Sequence, residues 1–105
     1  MFKYRKFRTM TEYDITFEEL LSMQKNGAII VDVRNSREFS EGHILGSINI
    51  AEYEIKKKFE KIIPNKNLNI ILYCLSGTRS MQALKKIKKM GYLHVYNLYG
   101  GLEGD

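Results

Sequence analysis

One cysteine, one proline and no tryptophan occur among the 105 residues. A lone thiol excludes an intramolecular disulfide and leaves Cys74 without an internal resolving partner, so a reducing compartment, the cytoplasm, is the expected home. Long apolar runs are also missing. The longest, Ala28 to Val31 and Ile70 to Tyr73, fall far short of the roughly 20 residues a membrane-spanning helix requires, and no membrane association is expected. The opening Met1-Phe2-Lys3-Tyr4-Arg5-Lys6-Phe7-Arg8 is basic but has no apolar core of the kind a secretory signal carries. No internal repeat or low-complexity segment breaks the chain, so residues 1–12 read as a basic arm and residues 13–105 as one domain. With 44% hydrophobic residues this length can bury a core, which argues against disorder.

What is present alternates between strand and helix patterns. Tyr13 to Ile15 reads as a short strand. Thr16, followed three residues later by Glu19, forms a capping-box signature for a helix that ends near Asn26-Gly27. Ala28 to Val33 is the next strand, Ser36 to Ser40 a short helix closed by Gly42, and Ser47 to Ile50 a further strand. Ile55, Phe59, Ile62 and Ile63 place an apolar stripe on a helix within Glu52 to Ile63, before the turn chemistry of Pro64-Asn65-Lys66-Asn67. Leu68 to Tyr73 is apolar and β-branched enough for a buried parallel strand. Met81, Leu84, Ile87 and Met90 then recur at helical spacing, with Gly91 as the stop, and His94 to Leu98 forms a last strand. Strands separated by helices predict an α/β fold. Its central, mostly parallel sheet has about five short strands with helices on both faces, and the ligand site lies beyond the strands' carboxyl ends.

Cys74 stands at such an end. It opens the run Cys74-Leu75-Ser76-Gly77-Thr78-Arg79-Ser80, between an apolar strand and a helix. The first turn of a helix has backbone N–H groups without intrahelical partners and a partial positive charge, so an anion is favoured there. A cysteine at that position, with Arg79 as a nearby cation, is biased toward the nucleophilic thiolate. Gly77 permits the tight turn that brings loop N–H groups onto an oxyanion. The opposing reading, a buried cysteine acting as a small hydrophobe, does not account for Gly77, Arg79 and Ser80.

Asp32-Val33-Arg34 at a strand end, Glu38-Phe39, Glu41-Gly42-His43-Ile44 with Gly46-Ser47-Ile48-Asn49-Ile50, the Cys74 loop and Tyr99-Gly100-Gly101-Leu102 together resemble a single-domain rhodanese. The resemblance runs from about Ile15 to the last residue. It implies a sulfurtransferase in which Cys74 takes sulfane sulfur from a small anionic donor such as thiosulfate, becomes a persulfide, and passes the sulfur to an external acceptor. That acceptor is cyanide, a thiol or a partner protein. In the resemblance Leu75, Ser76, Gly77, Thr78, Arg79 and Ser80 bind substrate, with Arg79 orienting the anion and the hydroxyls of Ser76, Thr78 and Ser80 as added donors. Asp32 and Arg34 support the loop, and His43 ties a turn by hydrogen bonds. Rhodanese-like chains commonly continue past the double glycine with a tryptophan and a closing helix. Here that helix is expected to be absent or rudimentary, and pairing with a second copy is one way to cover the exposed edge.

The rival functions are a sulfur carrier or sensor with little turnover, and a cysteine-dependent phosphatase. Phosphatase loops hold one residue more between cysteine and arginine than the four, Leu75 to Thr78, found here, which favours sulfur. No metal or organic cofactor is expected, since the two histidines and scattered carboxylates lack ligand spacing. The net charge of +5 comes largely from Lys56-Lys57-Lys58 and the lysines from Lys85 to Lys89. These read as solvated helix faces that concentrate an anionic donor, without the aromatic-basic pattern of a nucleic-acid binder.

Overall fold

The computed structural model describes residues 9–104; the basic run 1–8, most of the expected arm, and Asp105 lie outside the described residues. Five strands form one parallel sheet in the order β1-β5-β4-β2-β3, with β1 at Asp14–Ile15, β2 at Ile29–Asp32, β3 at Ile48–Asn49, β4 at Asn69–Tyr73 and β5 at His94–Leu98. Four helices join them: α1 (Phe17–Lys25), α2 (Ser36–Ser40), α3 (Ile55–Ile62) and α4 (Thr78–Lys89). The strands are short because each element ends on local chemistry. Thr16 caps α1 by accepting from the Glu19 N–H at 3.1 Å, while Glu19 accepts from the Thr16 N–H at 2.8 Å. Gly27, Gly77 and Gly91, all near φ +100°, take the left-handed turns at helix ends.

Alternation along β4 divides the core. Ile70, Leu72 and Cys74 face a cluster with Val31, Val33 and Val95, covered by Ile55 and Phe59 of α3 and Ala83, Leu84 and Ile87 of α4. Ile71 and Tyr73 point the other way, into a cluster with Ile15, Leu20, Ile30 and Leu98 that α1 covers. Both faces of the sheet are therefore covered by helices, as parallel sheets require. Cys74 thus shares a face with the packed interior of α4, and its place at the top of β4 is set by the same two-residue period.

The expected helix over Glu52 to Ile63 divides. Glu52–Glu54 is a single 3₁₀ turn and α3 begins only at Ile55. Ile62 is exposed where an apolar stripe was expected, because adjacent Ile63 takes the inward position. After β5, Gly101–Glu103 forms one 3₁₀ turn. Among the described residues no helix is long and apolar enough to cross a membrane.

Candidate active site

The loop between β4 and α4 folds around the sulfur. Gly77, at φ +98°, directs its N–H to Cys74 Sγ at 3.1 Å, and the Ser80 N–H reaches the same atom at 3.4 Å. These groups belong to the start of α4, where backbone donors have no intrahelical acceptor. Cys74 itself is 0% exposed. The turn that follows Gly100-Gly101 closes the loop from behind: Leu102 donates to the Cys74 carbonyl at 3.0 Å and Glu103 to the Leu75 carbonyl at 2.9 Å. A Cβ on Gly101 would stand 2.5 Å from the Cys74 carbonyl oxygen, so only glycine fits this approach.

The remaining loop side chains separate into distinct roles. Leu75 is exposed, and Ser76 and Thr78 hydrogen-bond to each other at 3.3 Å on the open side rather than to the sulfur. Arg79 donates twice to Glu38, at 2.7 and 3.0 Å. Glu38 holds the Arg79 guanidinium above its ordinary pKa, and the Arg79 hydrogen bonds bring the Glu38 carboxyl from 4.5 down to about 2. Glu38 also completes a capping box on α2, since its N–H donates to Asn35 Oδ1 at 2.9 Å while Oε1 accepts from the Asn35 N–H at 3.2 Å. The same carboxylate therefore orders α2 and aims Arg79.

Asp32 and Arg34 are brought together at the end of β2. Arg34 Nε and Nη2 bond both carboxylate oxygens of Asp32, at 3.0 and 2.8 Å, and Nη2 continues to the Gly42 carbonyl at 2.6 Å. Neither side chain bonds to the Cys74 loop; they tie the segment after β2 into a fixed shape. His43 sits in that segment, stacked on Phe39 at 3.6 Å with Nδ1 2.7 Å from the Phe39 carbonyl oxygen, and it is exposed.

Sequence reasoning missed the polar groups behind the sulfur. Ser80 Oγ lies 3.4 Å from Cys74 Sγ and 2.5 Å from Asn97 Oδ1, and Asn97 Nδ2 donates to Asp14 Oδ1 at 2.9 Å. All three residues are buried. The available signal was a polar residue inside an otherwise apolar strand, at Asn97 in His94–Leu98 and at Asp14 in Asp14–Ile15. Glu38 was visible only as part of a motif, not as the partner of Arg79.

A parallel α/β sheet that delivers a cysteine to the start of a helix, in a loop followed at once by an arginine, defines a class of cysteine-loop α/β domains. Within that class the chain belongs to the rhodanese-like domain family, whose pattern matches residues 16–104. It is 38% identical over 73 residues to the thiosulfate sulfurtransferase PspE of Escherichia coli (strain K12), covering 70% of this chain and 69% of that one. It is also 34% identical over 103 residues to the uncharacterized protein YqhL of Bacillus subtilis (strain 168), covering 98% of this chain and 75% of that protein. Among solved structures, the human single-domain sulfurtransferase TSTD1 superposes with a TM-score of 0.78 at 25% identity, covering 90% of this chain and 99% of that one.

Proposed function

We propose that this chain is a sulfurtransferase that carries sulfane sulfur on Cys74. The observation that bears most weight is the pair of backbone N–H groups, from Gly77 and Ser80, converging on Sγ at the start of α4. They favour an anionic sulfur there, and a thiolate needs no separate base to attack. Attack on the outer sulfur of thiosulfate forms the Cys74 S–S bond as the donor's S–S bond breaks, and the electron pair departs with sulfite. The persulfide then yields its outer sulfur to cyanide or a thiol, which restores the Cys74 thiolate. The lone cysteine requires that acceptor to come from another molecule, a small thiol or a partner protein. Leu75, Ser76, Gly77 and Thr78 form the wall the donor meets, Ser80 lies buried behind the sulfur, and Arg79, on the rim, orients the donor's anionic end.

Two features of the molecule fit this chemistry. The net charge of +5 raises the local concentration of an anionic donor. Burial of Sγ keeps water and bulky oxidants from the thiol, so a donor must part the loop to reach it. The similarity to PspE supports thiosulfate as the donor class, and a reducing cytoplasm is the compartment in which a lone reactive thiol persists.

The test pairs intact mass after thiosulfate treatment with cyanide-dependent thiocyanate production. Wild type is expected to gain one sulfur and turn over, and Cys74→Ser to do neither. A mass gain without turnover identifies a carrier that hands sulfur to a partner. Hydrolysis of an aryl phosphate that disappears in Cys74→Ser, with no mass gain, overturns sulfur transfer.

A further inference from the structure

Behind Cys74 runs a buried chain of polar side chains whose direction follows from its far end. The Thr11 N–H donates to Asp14 Oδ2 at 2.7 Å, and the Thr11 hydroxyl lies 3.0 Å from the same oxygen. Asp14 therefore acts as an acceptor on that side, and an ionised carboxylate accepts on its other oxygen too. That fixes the Asn97 amide, because only its Nδ2 can face Asp14 Oδ1 at 2.9 Å. Oδ1 of Asn97 is then turned to Ser80 Oγ. An amide oxygen cannot donate, so the single hydroxyl proton of Ser80 goes to Asn97 and a lone pair of Ser80 Oγ faces Sγ. The hydroxyl that sequence reasoning counted as a donor to substrate or sulfur is committed elsewhere.

We infer that Asp14 and Asn97 are positioning residues that hold Ser80 as a hydrogen-bond acceptor toward Cys74, opposing negative charge on Sγ. A lone pair at this distance is compatible with an S–H or with the inner sulfur of a persulfide, whose charge resides on the outer atom. It is unfavourable to the bare thiolate. The two backbone N–H groups and the Ser80 hydroxyl thus act in opposite senses on the same atom, and the relay favours the loaded form over the empty thiolate. The inference rests on Cys74 being the reacting group, but its test requires no sulfur transfer.

Asp14→Asn reverses the relay with nearly unchanged shape. The introduced side chain would accept the Thr11 N–H through its oxygen and donate from its amide nitrogen to Asn97. The Asn97 amide would turn over to donate to Ser80, whose hydroxyl proton would then point to Sγ. The Thr11 N–H, the introduced amide and the Asn97 amide each keep an acceptor in the reversed order, whereas the original order would set the introduced amide nitrogen against the Thr11 N–H. Asp14→Asn also removes a buried negative charge, so the relay is read from the part of the gain that removal of the Ser80 hydroxyl abolishes; Arg79, Glu38 and Asp32 near the loop are the same in each variant.

With a single cysteine, selective 13Cβ labelling of cysteine gives one resonance that reports the thiol-to-thiolate ratio. At neutral pH, Asp14→Asn is expected to raise the thiolate-to-thiol ratio about tenfold, the scale of one hydrogen bond gained by a charged acceptor. Most of the gain is expected to vanish in Asp14→Asn/Ser80→Ala, leaving only the share due to the lost Asp14 charge. An unchanged ratio in Asp14→Asn, or a gain that survives removal of the hydroxyl in full, overturns the inference. Ser80→Ala alone decides the matter even if the Asp14 variant does not fold. The relay requires that loss of the hydroxyl leave the thiolate share equal or higher, and a tenfold fall would show that Ser80 donates to sulfur. Absence of a persulfide in the mass experiment would remove the sulfurtransferase reading and leave this result intact.

Discussion

Arg34 and Arg79 each grip one carboxylate with two hydrogen bonds, yet they serve different ends. Arg34 reaches Asp32, two residues away on the same strand end, and the pair is closed: the side chains are 7% and 0% exposed. Arg79 reaches Glu38 across 41 residues of chain, and those side chains are 39% and 26% exposed. A buried pair cannot exchange its partner without leaving a charge in the interior, so it behaves as structure. A half-open pair can exchange its carboxylate for another anion at little cost, so it behaves as a site. Sequence alone presents Arg34 at a strand end and Arg79 at the start of a helix, and burial supplies the physical reason for their different roles.

Breaking each pair should expose that difference. Arg34→Ala leaves Asp32 uncompensated in the core and removes the donor to the Gly42 carbonyl, so unfolding in urea is expected to show a loss of about 3–5 kcal/mol. That is a large part of the roughly 5–15 kcal/mol that holds a small domain folded. A loss below about 1 kcal/mol would place Arg34 among the ordinary surface pairs and end the contrast. Arg79→Ala should cost at most about 1 kcal/mol of stability but raise the thiosulfate concentration for half-saturation about tenfold, the scale of a lost charge-assisted hydrogen bond. Unaltered saturation would mean that the loop N–H groups alone hold the donor.

The parts of the molecule legible in sequence are those written by neighbours along the chain. Thr16 with Glu19, Gly27 and Gly91 mark helix ends through bonds or torsions within a few residues, and each appears where the pattern places it. The parallel sheet follows from crossovers between short apolar strands, and the loop from Gly77 and the helix behind it. What escapes is pairing at long separation between polar side chains. Nothing near Arg79 announces Glu38, and nothing near Asn97 announces Asp14, which precedes it by 83 residues. Hydrophobic period reports which face is buried, but it does not report which buried polar groups meet. The same limit explains Ile62: periodicity offers Ile62 and Ile63 equally, and packing against Tyr92 and its neighbours admits only Ile63.

The smallest expected effect probes the open pair from its acidic side. Glu38→Gln removes the charge that neutralises Arg79 while leaving a side-chain oxygen able to accept the Asn35 N–H, so the cap on α2 survives. With Arg79 no longer paired to a carboxylate, half-saturation by thiosulfate should fall about threefold at low salt, and the gain should shrink as ionic strength rises. The same competition has a pH signature. Because folding lowers the Glu38 pKa from 4.5 to about 2, the pair's contribution to stability is fully present above pH 4.5 and is lost as pH falls toward 2. Protonating Glu38 in that window frees Arg79 much as the glutamine does. The Glu38 carboxyl resonance in wild type should therefore titrate near 2 and move up toward its ordinary range in Arg79→Ala. A Glu38 that titrates in the ordinary range in both proteins would mean that the pair is not held in solution, and that Arg79 is free to meet a donor without displacing anything.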